Sequence, residues 1–226
     1  MKKTLIIPIL LTFLGGTAFA DSTNIGVKIN AANFAATGSN TTNSSSGGSG
    51  GTAVSYDKDA DVLFPSIFVE RQFTQTSFDF ALGIDYVPLT HEIDTLGGGT
   101  GFDATIEIGN LITAYVQPMY KVSGDVTVFG KLGYSQADLD VNEISRQSTS
   151  SNGGTASTDT AQKKSLKGPM IGLGVQFDRS FGEFSFIRIE ATRTDFDEIT
   201  HTNSNSKVLK ADADMSSVNL SIGKSF

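Results

Sequence analysis

The sequence predicts an all-β chain folded as a closed, antiparallel, up-and-down transmembrane β-barrel of about eight strands. Three features predict it: apolar and polar residues alternate with period two in segment after segment, the connections between those segments alternate short and long, and aromatic rings gather beside the short ones.

The alternation is read directly from the residues. Ile25, Val27 and Ile29 alternate with Gly26 and Lys28, and Phe78, Phe80, Leu82, Ile84 and Tyr86 with Asp79, Ala81, Gly83 and Asp85. Between 106 and 120 the even positions Ile106, Ile108, Ile112, Ala114 and Val116 are apolar, while the odd ones include Glu107, Thr113 and Gln117. Val126, Val128, Leu132 and Tyr134 form a fourth set, and Ile171, Leu173, Val175 and Phe177 a fifth. Ile187 and Ile189 form a sixth, and Val218, Leu220 and Ile222 a seventh. The segment 61–73 completes eight, although Pro65 and an apolar run on both faces hide its register. Several segments exceed ten residues, the length that a tilted membrane crossing requires.

Short connections fall at Thr74-Gln75-Thr76, Ser123-Gly124-Asp125 and around 179–183; long ones are expected at 37–56, 88–102, 142–165 and 197–212. An up-and-down barrel places odd-numbered connections at one end, so all the long loops share the outer rim. Two of them, over 37–51 and 147–160, are almost entirely Gly, Ser, Thr, Asn and similar residues and lack the apolar content to form a core. Phe73, Phe78, Tyr120, Phe177, Phe181, Phe184 and Phe226 lie beside the short turns or at the chain end, where a membrane barrel carries an interfacial girdle; Trp is absent and Phe and Tyr replace it.

Residues 1–20 read as an export leader: Lys2 and Lys3, an apolar run from Leu5 to Leu14, then Ala18-Phe19-Ala20 as the cleavage pattern. A single barrel domain over 21–226 follows. Loss of Lys2 and Lys3 takes Lys+Arg from 17 to 15 against 24 acids and the formal charge from −7 to −9, which argues against nucleic acid as a partner. Cysteine is absent, excluding thiol catalysis, disulfides and thiolate metal sites.

The last strand, Val218-Asn-Leu-Ser-Ile-Gly-Lys-Ser-Phe226, resembles the assembly signal of bacterial outer-membrane barrels, carried by Val218, Leu220, Ile222 and Phe226. Gly168-Pro-Met-Ile-Gly-Leu-Gly-Val-Gln-Phe177 resembles the sixth strand of the OmpA-like, opacity-type eight-stranded family. Phe129-Gly-Lys-Leu-Gly-Tyr134 resembles its fifth, and Ile187-Arg-Ile-Glu190 its seventh, where an inward Arg and Glu are typical. The resemblance implies residence in the outer membrane among lipid and lipopolysaccharide, insertion by the barrel-assembly machinery, a monomer, and a porin-like shape serving envelope integrity, adhesion or surface recognition.

Inward positions set by the alternation include Lys28, Asp79, Asp85, Glu107, Lys131, Arg188 and Glu190. Eight strands leave a lumen that side chains fill, and buried charges persist only when paired, so Arg188, Lys131 and Lys28 are expected to be bridged by Glu190, Glu107 and Asp residues into a plug. A narrow ion path is the alternative use of the same residues. Acidic groups at 57–61, 138–143, 195–198 and 212–214 form a charged rim without the spacing of a calcium loop. No catalytic, cofactor or metal residue is expected: His91 and His201 fall in long connections without a Gly-x-Ser-x-Gly elbow or a metal-binding pair, and Gly97-Gly98-Gly99 lacks the setting of a phosphate loop. An enzyme using a rim His and a soluble, lipocalin-like barrel with apolar residues inward are the rival classes.

Overall fold

The computed structural model describes residues 22–41, 54–74, 78–97, 102–145, 161–179, 182–202 and 208–226. The leader, most of the two low-complexity stretches, Gly98, Gly99 and Phe181 lie outside the described residues. The strands are β1 (Ser22–Thr41), β2 (Val54–Thr74), β3 (Asp79–Val87), β4 (His91–Gly97), β5 (Phe102–Ser123), β6 (Val126–Ser145), β7 (Ala161–Phe177), β8 (Phe186–Asp195), β9 (Ile199–Thr202) and β10 (Val208–Ser225). Sequential neighbours pair antiparallel, and β1 pairs β10 from Asn24↔Ser225 to Thr41↔Val208, which closes the sheet. β3 and β4 both pair β5, and β8 and β9 both pair β10, so the ten segments form eight barrel strands of which two are interrupted.

Where side chains are described, the strands put alternate residues outside. Val27, Ile29, Leu63, Ile67, Leu132, Ile171, Leu173, Ile189, Val218 and Leu220 are exposed, Leu173 at 70%, while Lys28, Ser66, Lys131, Gln176, Arg188 and Asn219 on the opposite face are buried. The apolar set therefore faces outward, which excludes the lipocalin-like arrangement over this part of the wall. A closed sheet leaves no backbone amide unpaired toward hydrocarbon, and the apolar face is the one that lipid solvates.

The polarity then inverts along the same strands. On β2 the outward series runs Ile67, Pro65, Leu63, Asp61, Asp59, Asp57, and on β7 it runs Leu173, Ile171, Pro169, Lys167, Ser165, Lys163. The inward series changes the opposite way: Lys28 and Asn30 give way to Ala32 and Phe34 on β1, and Lys131 and Ser135 to Ala137 and Leu139 on β6. Beyond the lipid the wall is thus built like a soluble protein, polar outside and apolar within. This is why the strands are longer than the sequence suggests. β5 has 22 residues, about twice what a crossing needs, and the pairing continues into stretches expected to be loop, to Thr41 on β1 and Ser145 on β6. Hydrophobic alternation marks only the lipid-facing length, so the connections expected at 37–56, 88–102, 142–165 and 197–212 begin later and end earlier than that reading placed them.

Prolines mark where ladders stop. The β2–β3 ladder ends at Ile67↔Tyr86, and its register continued by two residues would set Pro65 against Pro88, neither of which has an amide to donate. The β7–β8 ladder ends at Met170↔Thr194, one step before Pro169. Above these points, among the described residues, β2 and β7 keep a ladder on one edge only. The wall divides into two four-stranded sheets, β9-β10-β1-β2 and β4-β5-β6-β7. Their inner faces meet in one apolar cluster: Phe34, Phe64 and Met215 from the first sheet, Ile108, Leu111 and Leu166 from the second, with Val87 at the end of β3 and Phe196 just after β8.

A bulge corrects one sequence expectation. The β5–β6 register shifts between Gly109 and Ile112, with Asn110 at φ 51°, a conformation that Asn tolerates better than most residues. Below the bulge the odd residues Leu111, Thr113, Tyr115 and Gln117 face inward; above it the even Ile108 does. Glu107 is consequently turned to the outer surface, where it faces neither Lys28, Lys131 nor Arg188.

Candidate functional site: an ion-paired lumen

The lower tier of the lumen is closed by six charged side chains, three of each sign. Arg188 forms a two-pronged pair with Glu70: Nη1 donates to Oε2 at 2.9 Å and Nη2 to Oε1. Its Nε donates to Gln176 Oε1. Glu190 accepts from Lys28 at 3.1 Å and from Lys131 on its other oxygen, and Lys28 also pairs with Asp85. Tyr115 Oη donates to Glu70 Oε2 at 3.0 Å, Asn24 to Glu70 Oε1 at 2.9 Å, and Asn219 to Glu190 at 3.3 Å. All eight barrel strands contribute to this network. The six charges cancel, and Arg188, Glu70 and Glu190 are each at most 2% exposed. Burying charge is costly unless it is paired and hydrogen-bonded on every side, and the planar Arg fork on a carboxylate is the geometry that meets that demand.

Aromatic rings pack the same tier. Phe68 lies over Gly26, Tyr115 over Gly83, Phe129 over Gly174 and Phe186 over Gly223, and each of these is a directly opposed cross-strand pair. A methyl group built on any of these four glycines would overlap the facing ring, so glycine is what lets the ring lie flat on the wall. The rings then surround the cations: the Arg188 guanidinium is 4.4 Å from the Phe186 centroid and 5.6 Å from those of Phe68 and Phe129, and Lys131 Nζ is 4.4 Å from that of Tyr115.

Lys28, Lys131, Arg188 and Glu190, read from the alternation, are brought together here; Glu107 is not, for the reason the bulge gives. Asp79 faces the lumen near its inner end and accepts from Gln72 at 3.3 Å. Glu70 and Tyr115 escaped the sequence reading. Glu70 shares parity with Phe64, Ser66 and Phe68, but the outward Leu63, Pro65 and Ile67 are equally apolar, so no contrast identified its face. Tyr115 shares parity with Thr113 and Gln117, and that signal was available.

At the short-turn end Phe78, Tyr120, Phe177, Phe184 and Phe226 are exposed on the outer surface, and Phe73 stacks on its cross-strand partner Phe80 with centroids 4.8 Å apart. Val218, Leu220 and Ile222 share the outward parity of β10, and Phe226, one residue beyond the strand, is exposed. The hydrogen bond from Lys224 at 2.8 Å holds the Glu183 carboxyl in the adjoining turn below its ordinary range. On the acidic rim, Asp61 accepts from Asn33, Asp138 from Asn110, Asp140 from Lys163 and Asp195 from Arg193, which also forms an ion pair with Asp214 at 3.4 Å. Among the described residues no group of three or more His, Asp or Glu side chains is arranged to hold a metal. His91 and His201 fall in β4 and β9, with side chains outside the described set.

A sheet closed on itself, apolar outside along its lipid-facing length and charge-paired within, defines a transmembrane β-barrel of the bacterial outer-membrane kind. Solved structures of that kind resemble it. Ail of Yersinia pestis matches over 88% of this chain and 97% of its own, with 10% identity and a TM-score of 0.38. The neisserial surface protein NspA matches over 86% and 96%, with 11% identity and a TM-score of 0.38. The outer-membrane protease OmpT of Escherichia coli matches over 94% and 99%, with 8% identity and a TM-score of 0.45. No family model matches the chain, and no curated protein sequence matches it. At these identities and scores nothing about role carries over, and the class rests on the wall and lumen of this chain.

Proposed function

We propose that the protein is a plugged, non-conducting barrel of the OmpA-like, opacity-type kind that serves envelope structure or surface adhesion and recognition, without catalytic activity. The neutral Arg188–Glu70 and Glu190–Lys28–Lys131–Asp85 network supports this reading above any other feature, because an ion crossing the tier would have to separate buried, mutually paired charges. Lipid and lipopolysaccharide contact the outer wall, the assembly machinery receives β10, and recognition falls to the extended outer sheets and the connections above them.

The test is electrical. Wild-type protein in planar bilayers is expected to carry no steady current, whereas a Glu70→Ala/Arg188→Ala variant, which empties the centre of the tier, is expected to conduct. A steady ohmic current through the wild-type barrel overturns the plug.

A further inference from the structure

Above the lipid, β7 has an edge that no strand covers among the described residues. From Ala161 to Pro169 its ladder runs to β6 alone, whereas from Met170 downward β8 pairs its other side. The course of the chain leaving β8 explains the difference. It crosses the inner face of β7 at Gly168, where a methyl group would overlap the Asp195 carbonyl. It then donates one bond, from Asp197 N to Lys167 O at 2.6 Å, and goes on to pair as β9 with β10. That bond shows which way the edge looks. Backbone groups alternate sides along a strand, so the N–H and C=O of Lys163 and Ser165 point away from β6, as the Lys167 carbonyl does. Among the described residues no backbone group pairs with them. Such an edge is a template for a further strand.

The side chains restrict which strand is admitted. Lys163 and Lys167 are exposed on the outer side of the edge with Ser165 between them, and Lys164 is half-buried on the inner side. Lys163 is bonded to Asp140, while among the described residues Lys164 and Lys167 form no ion pair. Lysines on an edge discourage indiscriminate pairing, because a neutral or basic neighbour leaves their charge unmatched and only an acidic one matches it. The inner side has a different demand. Leu166, 2% exposed, belongs to the apolar cluster, so the inward side chains of an added strand meet the rim of that cluster. β2, the edge strand of the other sheet, carries Asp57, Asp59 and Asp61 outward and does not compete for the same guest. We propose that the β7 edge over 161–167 takes an extended acidic segment of a partner protein as an added strand, with its acids outward and apolar residues inward. This rests on the recognition role of the outer sheets and gives that role a partner class.

The probe is a blocked peptide that alternates Glu and Val, added to the full 15N-labelled barrel in lipid nanodiscs and read by amide hydrogen exchange. Saturating peptide is expected to slow exchange at Lys163 and Ser165 about tenfold, the effect of one gained hydrogen bond per amide, and to leave residues 57–61 of β2 unchanged. Two control peptides are expected to give no protection: one with Lys in place of Glu, and one N-methylated at Glu, which cannot donate to the edge with its acids outward. Lys163→Gln combined with Lys167→Gln is expected to raise the midpoint about three- to tenfold, the loss of two cross-strand charge pairs. Protection already present before peptide is added means that this chain or a second copy covers the edge, and overturns the site. No saturable protection, equal binding of either control peptide, or an unchanged midpoint in the double variant overturns it as well. A steady current through the wild-type barrel alongside peptide protection would overturn the plug and leave this site standing, so the two fail separately.

Discussion

Arg188→Met is expected to destabilise the folded barrel by about 3–5 kcal/mol, the usual effect of removing one partner from a buried ion pair. The size follows from what is left behind. Glu70 is 0% exposed, and without the guanidinium it retains only the Tyr115 hydroxyl and the Asn24 amide as donors. Three rings that rest around the guanidinium lose their cation as well. Urea unfolding in phospholipid vesicles, followed by far-UV circular dichroism, measures the loss. Arg188→Met combined with Glu70→Met is expected to recover most of it, since an apolar pair of similar volume often replaces a buried ion pair at little cost. If the double variant is no more stable than Arg188→Met alone, the stranded carboxylate is not the cause. If Arg188→Met unfolds at the wild-type urea concentration, the network is not what fills the lumen.

The barrel and its lumenal residues were legible to different depths. Strand identity and the inward face of Lys28, Lys131, Arg188 and Glu190 followed from alternation, because the lipid forces one face to be apolar and the contrast is large there. The pairing across the lumen was not legible. Alternation gives parity, not height or azimuth, and Arg188 finds its partner 118 residues away in the one strand whose two faces are equally apolar. Glu107 shows the converse failure: one extra residue at Gly109–Asn110 inverts every parity beyond it, and nothing in the local composition announces that insertion. The outer sheets lie outside the lipid-facing signal for a related reason. Their outward Asp57, Asp59 and Asp61 and inward Val62 and Phe64 still alternate, but with the sign that belongs to water, and a search for lipid-facing segments stops where the sign changes.

Gly168→Ala tests whether those outer sheets depend on how the wall divides. At this position the chain leaving β8 crosses directly over the inner face of β7, and a methyl group would overlap the Asp195 carbonyl and the Phe196 backbone. Around that crossing, Asp197 N donates to Lys167 O at 2.6 Å, Phe196 N donates to Ala213 O at 2.9 Å, and the Phe196 ring enters the apolar cluster. Overpacking usually costs about 1–3 kcal/mol, and here the obstruction is backbone, which cannot rotate away as a side chain does, so the upper end is expected. Phe196 should lose its seat, and Met215, buried in the same cluster, should become accessible to solvent. Gly130→Ala is the control: its nearest neighbour is Pro118 at 3.7 Å, an ordinary contact, and stability should change by less than about 0.5 kcal/mol. Urea midpoints and the rate of Met215 oxidation by peroxide read the two effects separately. Should Gly168→Ala match Gly130→Ala in both, the close crossing at 195–197 is not what seats Phe196, and the apolar cluster would have to be held by the ladders of the two sheets alone.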